Sequence, residues 1–299
     1  MSAEVSFFYD RLSRYLIDGV PVRVLEAEVR DTAFESVARI SPSPAVAHVM
    51  AQVLAGTALL AGHIKGEERL TLHLVGNGLL GMIVSDCTAD GDLRVRVQYP
   101  STSGAGSQLD ERMRRSLGQG TLQVIKSLPT RELYRGSIPY DRPSPSELVE
   151  AYLETSEQVS SWVVIASSLE QERIVQARGL LIQALGGGDR EQFEALKKGW
   201  DRASISAALG AGQTVQQILE GLFVDHAVKE VETLPLRFKC RCSEERVLSM
   251  LLSMGRDELQ DMLSQDGKAD ITCDFCYAQY HVSGEQLAAL IRLTEHSDS

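Results

Sequence analysis

The chain has 299 residues, 43% of them hydrophobic and 24% charged, which is ample for one large globular domain and a smaller one. Its formal net charge of −11 repels phosphate and argues against nucleic acid as a partner. No uninterrupted run of about 18 apolar residues stands out, and Glu4 and Asp10 break the first apolar stretch, so neither a membrane span nor a signal peptide is expected. The chain is therefore expected in the cytoplasm, where thiols stay reduced.

In chain order, "LIDGVPVRVLEAEV" reads as a hairpin turning at Asp18-Gly19. Thr32 and Glu35 carry a capping-box signature for a short helix. Ser43 and Pro44 suit the cap and first position of the next helix, which runs apolar nearly all round from Ala45 to Ile64 and reads as buried. His48 and His63 on it read as packing residues. Leu70, Leu72 and Leu74 alternate, as do Leu93, Val95 and Val97, with turns at Gly76-Asn77-Gly78 and Asp90-Gly91, so a strand meander is expected. The glycine pair there lacks the lysine and serine of a phosphate loop. "QLDERMRRSLGQG" reads as a helix closed by glycine, and "TLQVIKSL" and "ELYRGSIPY" as strands. "SPSELVEAYLETSEQ" has Ser144 at the cap, Pro145 at the first helical position and Glu147 completing the box; "SWVVIAS" returns to strand. Strands and helices mix without a βαβ rhythm, which gives an α+β fold with an N-terminal core domain over 1–180. "LGGGDR" at 185–190 breaks the composition. A helical linker is expected over 181–235, built from "EQFEALKKG", "ISAALGAG" and "TVQQILEGLF", helices too short to persist without a surface to pack on.

The last unit, 236–299, holds four of the five cysteines. Cys240 and Cys242 form a C-x-C pair, and Cys273 and Cys276 a C-x-x-C pair. Four thiols in two close pairs suit one tetrahedral zinc ion. The spacing alone also admits two structural disulfides or an iron–sulfur cluster, and does not separate an inert zinc from a reactive one. "EERVLSMLLSMG" and "RDELQDMLSQDG" read as two helices ended by glycine, "KADIT" and "YAQYHV" as a hairpin flanking the second pair, and "SGEQLAALIRL" as a last helix with a Ser283–Gln286 capping box. So small a unit has little core, and a metal staple would compensate. His281, five residues past Cys276, reads as a strand residue or as a donor to a thiolate, and Cys87 as a lone packing thiol. Two other readings fare worse. Leu236 to Ser299 carries eleven Asp and Glu against seven Lys and Arg, which disfavours a zinc-ribbon nucleic-acid binder. Four cysteine ligands leave no position for a catalytic water, and the six histidines form no H-E-x-x-H motif, so no enzyme is expected.

"CSEERV" after the first pair and "MGRDELQDMLSQDGKADITCDFC" leading into the second resemble the Hsp33 family of redox-regulated chaperones. "KGEERLTLHLVGNGLLG", "ADGDLRVRV" and "YLETSEQ" extend the resemblance upstream, over essentially the whole chain. It implies one Zn²⁺ per chain, bound by Cys240, Cys242, Cys273 and Cys276 in the reduced, inactive state. It implies that oxidation forms the disulfides Cys240–Cys242 and Cys273–Cys276, releases zinc and unfolds the C-terminal region. The product would be an ATP-independent holdase whose partners are unfolded or aggregation-prone proteins, with homodimerisation of the oxidised form left open. A constitutive zinc-stabilised binding protein is the alternative.

Overall fold

The computed structural model describes residues 10–78, 80–98, 117–185 and 190–295. The helix expected from "QLDERMRRSLGQG" falls almost wholly outside them, as do residues 186–189. The chain divides into two compact units, Met1–Lys239 and Cys240–Ser299. The fold is mixed helix and sheet, as expected.

In the first unit, β1 (Arg11–Ile17) and β2 (Val22–Glu28) form the hairpin predicted at Asp18-Gly19, with Gly19 left-handed at φ 71°. Helix α1 (Arg30–Ala38) follows. Its expected capping box does not form. Thr32 lies inside the helix, and the cap comes from Asp10, whose carboxylate accepts from the N–H groups of Asp31 at 2.8 Å and Thr32 at 2.6 Å. Helix α2 (Pro44–Leu60) starts with Pro44 at its first position, and all its residues except Pro44 and Gln52 are buried. The stretch Pro44–His63 is in fact long and apolar enough to cross a membrane, which corrects the expectation that no such segment exists. Here it is a core helix, packed on strands of both large sheets.

Strands β3 (Arg69–Gly76), β4 (Met82–Thr88) and β5 (Asp92–Gln98) make the predicted meander, joined by β6 (Gln119–Leu128) and β7 (Arg131–Asp141). Helix α3 (Pro145–Ser156) shows the full Ser144–Glu147 capping box. Glu157 at its C-terminal end pairs with Lys126 of β6 at 2.8 Å, which ties the "YLETSEQ" segment to this sheet. Next come β8 (Ser161–Glu170) and β9 (Arg173–Ala184), then α4 (Arg190–Lys197), α5 (Arg202–Gly210) and α6 (Val215–Leu222), and finally β10 (Val228–Pro235) and the short β11 (Arg237–Phe238). Two strands went unread in the sequence. β9 is buried on both faces through its second half, so it shows no alternation, and β10, "VKEVETLP", is exposed and charged along most of its length. The helical reading of 181–235 therefore holds for three helices and fails over the end of β9 and over β10.

A five-stranded sheet has the order β10-β1-β2-β9-β8, antiparallel throughout. A six-stranded sheet has the order β11-β5-β4-β3-β6-β7, antiparallel except where β11 runs parallel to β5. The main core lies between the sheets, around α2. Close approach there needs small residues: a Cβ on Gly179 of β9 would meet Leu59 of α2 at 2.8 Å.

The outer face of the five-stranded sheet is apolar too. Tyr15, Val24, Trp162, Val164, Leu180 and Ile182 are buried there against helices α4–α6. Both tryptophans of the chain meet in this layer, with Trp162 and Trp200 ring centroids 5.1 Å apart and Phe223 5.6 Å from Trp200. Polar ties flank the aromatic layer. Lys197 and Arg202 pair with Glu150 of α3, Arg178 of β9 donates to the Gln213 carbonyl, and Ser168 donates to that of Gly210. The outer edge of β8 is closed by side chains: Glu150 accepts from Val163 N–H at 2.9 Å and Ser146 Oγ accepts from Ile165 N–H at 2.9 Å.

Burial lifts the pKa of Asp10 from 3.8 to about 6, against the pull of its hydrogen bonds to Thr32 and Asp31. A carboxyl whose folded pKa is raised contributes stability that is present below about pH 4 and lost as pH rises through about 6. Asp10→Asn keeps a cap acceptor and removes that loss. Thermal melts should show the variant gaining on the parent as pH rises from about 4 to about 6, by up to about 3 kcal/mol. A parallel pH dependence in the two proteins would refute this.

Candidate metal centre

The second unit begins at Cys240. Cys240 and Cys242 lie in an irregular stretch directly before helix α7 (Glu244–Met254), which Ser243 caps by accepting from Arg246 N–H. Helix α8 (Arg256–Gln265) follows, separated by Gly255, whose φ of 97° is open to glycine. Strands β12 (Lys268–Thr272) and β13 (Gln279–Ser283) form the expected hairpin, and α9 (Gly284–Glu295) closes the unit. Both halves of the Ser283–Gln286 box are made, at 2.9 and 3.3 Å.

Cys273 and Cys276 sit in the knuckle joining β12 to β13. Cys273 N–H donates to Ala278 O at 2.9 Å and Tyr277 N–H to Cys273 O at 2.8 Å, with Tyr277 left-handed at φ 59°. This folds the C-x-x-C segment over so that both thiols face one point. The two cysteine pairs converge there: Cys240 Sγ is 3.7 Å from Cys273 Sγ, Cys242 Sγ is 3.3 Å from Cys276 Sγ, and all four sulfurs lie within 4.8 Å of one another. All five cysteines are free thiols, and the four clustered ones are half-buried.

A tetrahedral Zn–S bond of 2.3 Å places sulfurs roughly 3.8 Å apart, so the observed spacing fits a single ion of that size. The electrostatics point the same way. Burial pushes the Cys276 thiol up to about 12 and raises Cys273 as well, and neighbouring thiols add to the shift at Cys276. Backbone N–H groups of Cys276 and Phe275 oppose it at Cys273, and that of Ala278 at Cys276. Those N–H groups favour thiolates, and a dication supplies the missing counter-charge. The core behind the cluster is small: Val247, Leu251, Leu259, Ala269, Val282, Leu287, Leu290 and Ile291.

The structure brings together all four cysteines singled out from the sequence. Cys87 lies apart, buried at 1% exposure in the main core, as the packing reading holds. His281 is exposed and pairs with Asp270 at 2.6 Å, the arrangement of a strand residue. The side chain that does interact with a thiol belongs to its neighbour. Interaction with Cys242, ahead of burial, pushes the Tyr280 phenol up to about 12. Hairpin parity could have found it, because Tyr280 and His281 point to opposite faces of β13.

The family model described as Hsp33 protein matches residues 10–283. The chain is 32% identical to the 33 kDa chaperonin of Bacillus licheniformis over 275 residues, covering 90% of this chain and 94% of that protein. It is 31% identical to the 33 kDa chaperonin of Bacillus subtilis over 287 residues, covering 94% and 98%. The crystal structure of the 33 kDa chaperonin from Thermotoga maritima superposes with a TM-score of 0.80 at 24% identity, covering 97% of this chain and all of that one; it shares the fold.

Thiols held protonated must give up their protons to bind a metal. Loading the metal-free reduced protein at neutral pH should release protons, and affinity should rise with pH. Calorimetry in buffers of different ionisation enthalpy measures this directly. Cys273→Ser should cut affinity by orders of magnitude and Cys87→Ser should leave it unchanged; equal affinities in the two variants would exclude the cluster as the site.

Proposed function

The chain belongs to the Hsp33 family, and on that premise we propose that it is a redox-regulated, ATP-independent holdase chaperone of the cytoplasm. One observation carries the reading. A four-thiol cluster able to hold a metal sits in a unit of small core, which follows, after two intervening strands, helices that cover an apolar sheet face and cannot stand alone.

Zinc, when bound by Cys240, Cys242, Cys273 and Cys276, holds the sulfurs as thiolates and stabilises the folded unit by on the order of 10 kcal/mol. Peroxide is attacked by one thiolate, which takes an oxygen to become a sulfenic acid as hydroxide leaves. A second thiolate attacks that sulfur, the S–S bond forms and hydroxide leaves again, so two peroxides convert four thiolates to two disulfides. The cluster puts every pair of sulfurs within a short movement of bonding. Cys240 and Cys242, and Cys273 and Cys276, are close in sequence and stay near each other when the unit unfolds, and we assign the disulfides to these pairs. Sulfurs in disulfides are poor ligands, so the staple is lost and the unit 240–295 unfolds. Release of the linker helices α4–α6 would then uncover Tyr15, Val24, Trp162, Val164, Leu180 and Ile182. An apolar face of that kind holds unfolding chains by burial alone, without nucleotide.

Because both tryptophans sit at the linker contact, their emission reports its state. Under a peroxide titration, metal release should come first; a red shift of tryptophan emission and suppression of client aggregation should then rise together, and thiol reduction should reverse them. Equal suppression by reduced and oxidised protein would make it a constitutive binding protein instead.

A further inference from the structure

The segment Ala89-Asp90-Gly91-Asp92, one of those carrying the family resemblance, takes no part in the thiol cluster or the linker contact. We propose that it is an anchor for Leu236–Lys239, the last residues before Cys240, and that it makes detachment of the linker helices a separate, later step than unfolding of the metal unit. The inference rests on the preceding reading, in which linker release is the output.

The order along the chain makes such an anchor consequential. Helices α4–α6 end at Leu222, and β10 and β11 stand between them and Cys240. Unfolding that starts at Cys240 must detach these strands first. Lys239 N–H donates to Leu93 O at 3.3 Å and Arg237 N–H to Gly91 O at 3.0 Å, which lays β11 along β5. The Asp92 carboxylate, only 10% exposed, takes Arg237 at 2.6 Å and Lys239 at 2.9 Å. Arg39 stacks over the Phe238 ring at 4.7 Å. Leu236 is 1% exposed in the main core, and its N–H donates to Asp10 O at 3.0 Å. The turn is shaped for this passage. Gly91 has φ 82°, and a Cβ there would meet Pro235 O at 2.1 Å, so only glycine lets the chain cross. Thr88 Oγ1 holds the turn by accepting from Asp92 N–H at 3.2 Å. Beyond the anchor, β10 pairs with β1 along its whole length, from Val228 to Pro235.

One buried carboxylate thus carries two cations that are themselves half-exposed. Removing the cations one at a time weakens the anchor without disturbing the core, and removing the carboxylate releases both. The test uses the full-length reduced protein loaded with zinc, stripped by a chelator, with hydrogen exchange read separately over 190–222 and 240–295. Chelation bypasses the thiols, so the outcome does not depend on whether peroxide releases metal; conversely, failure of the redox reading leaves this test intact. In the parent protein, 240–295 should lose protection while 190–222 keeps it. In Asp92→Asn the stripped protein should open over 190–222 about tenfold more readily, and in Arg237→Gln and Lys239→Gln about threefold each, with zinc content before stripping unchanged. The anchor is refuted if stripping the parent exposes 190–222 in step with 240–295, or if the two single-cation variants keep the parent's protection there.

Discussion

The five-stranded sheet is apolar on both faces, and each face requires a cover. This constraint organises the molecule. Antiparallel sheets commonly leave one face to water, with polar side chains alternating outward. Here β9 is buried on both sides over its second half, with Ala177 and Leu181 facing α2 and Leu180 and Ile182 facing the linker. The two covers differ in kind. Helix α2 is buried almost throughout and held between two sheets. The other is three helices of eight or nine residues, each near or below the length at which a helix persists in water. Their stability is borrowed from the face they cover, above all from the contact of Trp200 with Trp162 and Phe223.

The metal unit answers a similar shortage differently. Among the described residues, eight buried apolar side chains are few for a unit of this length, and a metal held by the four sulfurs would compensate. Its geometry is assembled by two unlike local structures, an irregular strand and a knuckle. The cluster exists only while β12–β13 and the start of α7 are folded together, so ligand geometry and fold are one equilibrium.

How much of this was legible in the sequence depended on whether the cause was local. The boxes at Ser144–Glu147 and Ser283–Gln286 formed as read, because cap and third helical residue are fixed by spacing. The one at Thr32 did not, because Asp10 reaches the same helix start through space from twenty-one residues upstream. The four cysteines were legible by residue type and spacing; Tyr280 was not, since a phenol on a strand becomes a thiol partner only once the hairpin parity is known. β9 was hidden by being buried on both faces, and β10 by having almost no buried face. The segment Pro44–His63 shows the same limit from another side: composition suits it to lipid, and only the two sheets around it make it a core helix.

The sealed edge of β8 has a consequence for what a protein with an openable sheet must avoid. A sheet stripped of its cover is a template for fibrils if its outermost strand can pair with the next molecule. Ser146 and Glu150 already occupy the outward N–H groups of Val163 and Ile165, and they belong to α3, not to the helices proposed to leave. At the opposite border, β10 must detach before the helices can leave, so β1 becomes the edge, interrupted by the cations Arg11 and Arg14. An open molecule would therefore offer a sticky plane sealed along β8 and charged along β1. It could hold another chain face-on while giving a second copy of itself no ladder to extend at β8, which separates capture of an aggregating protein from becoming the seed of one.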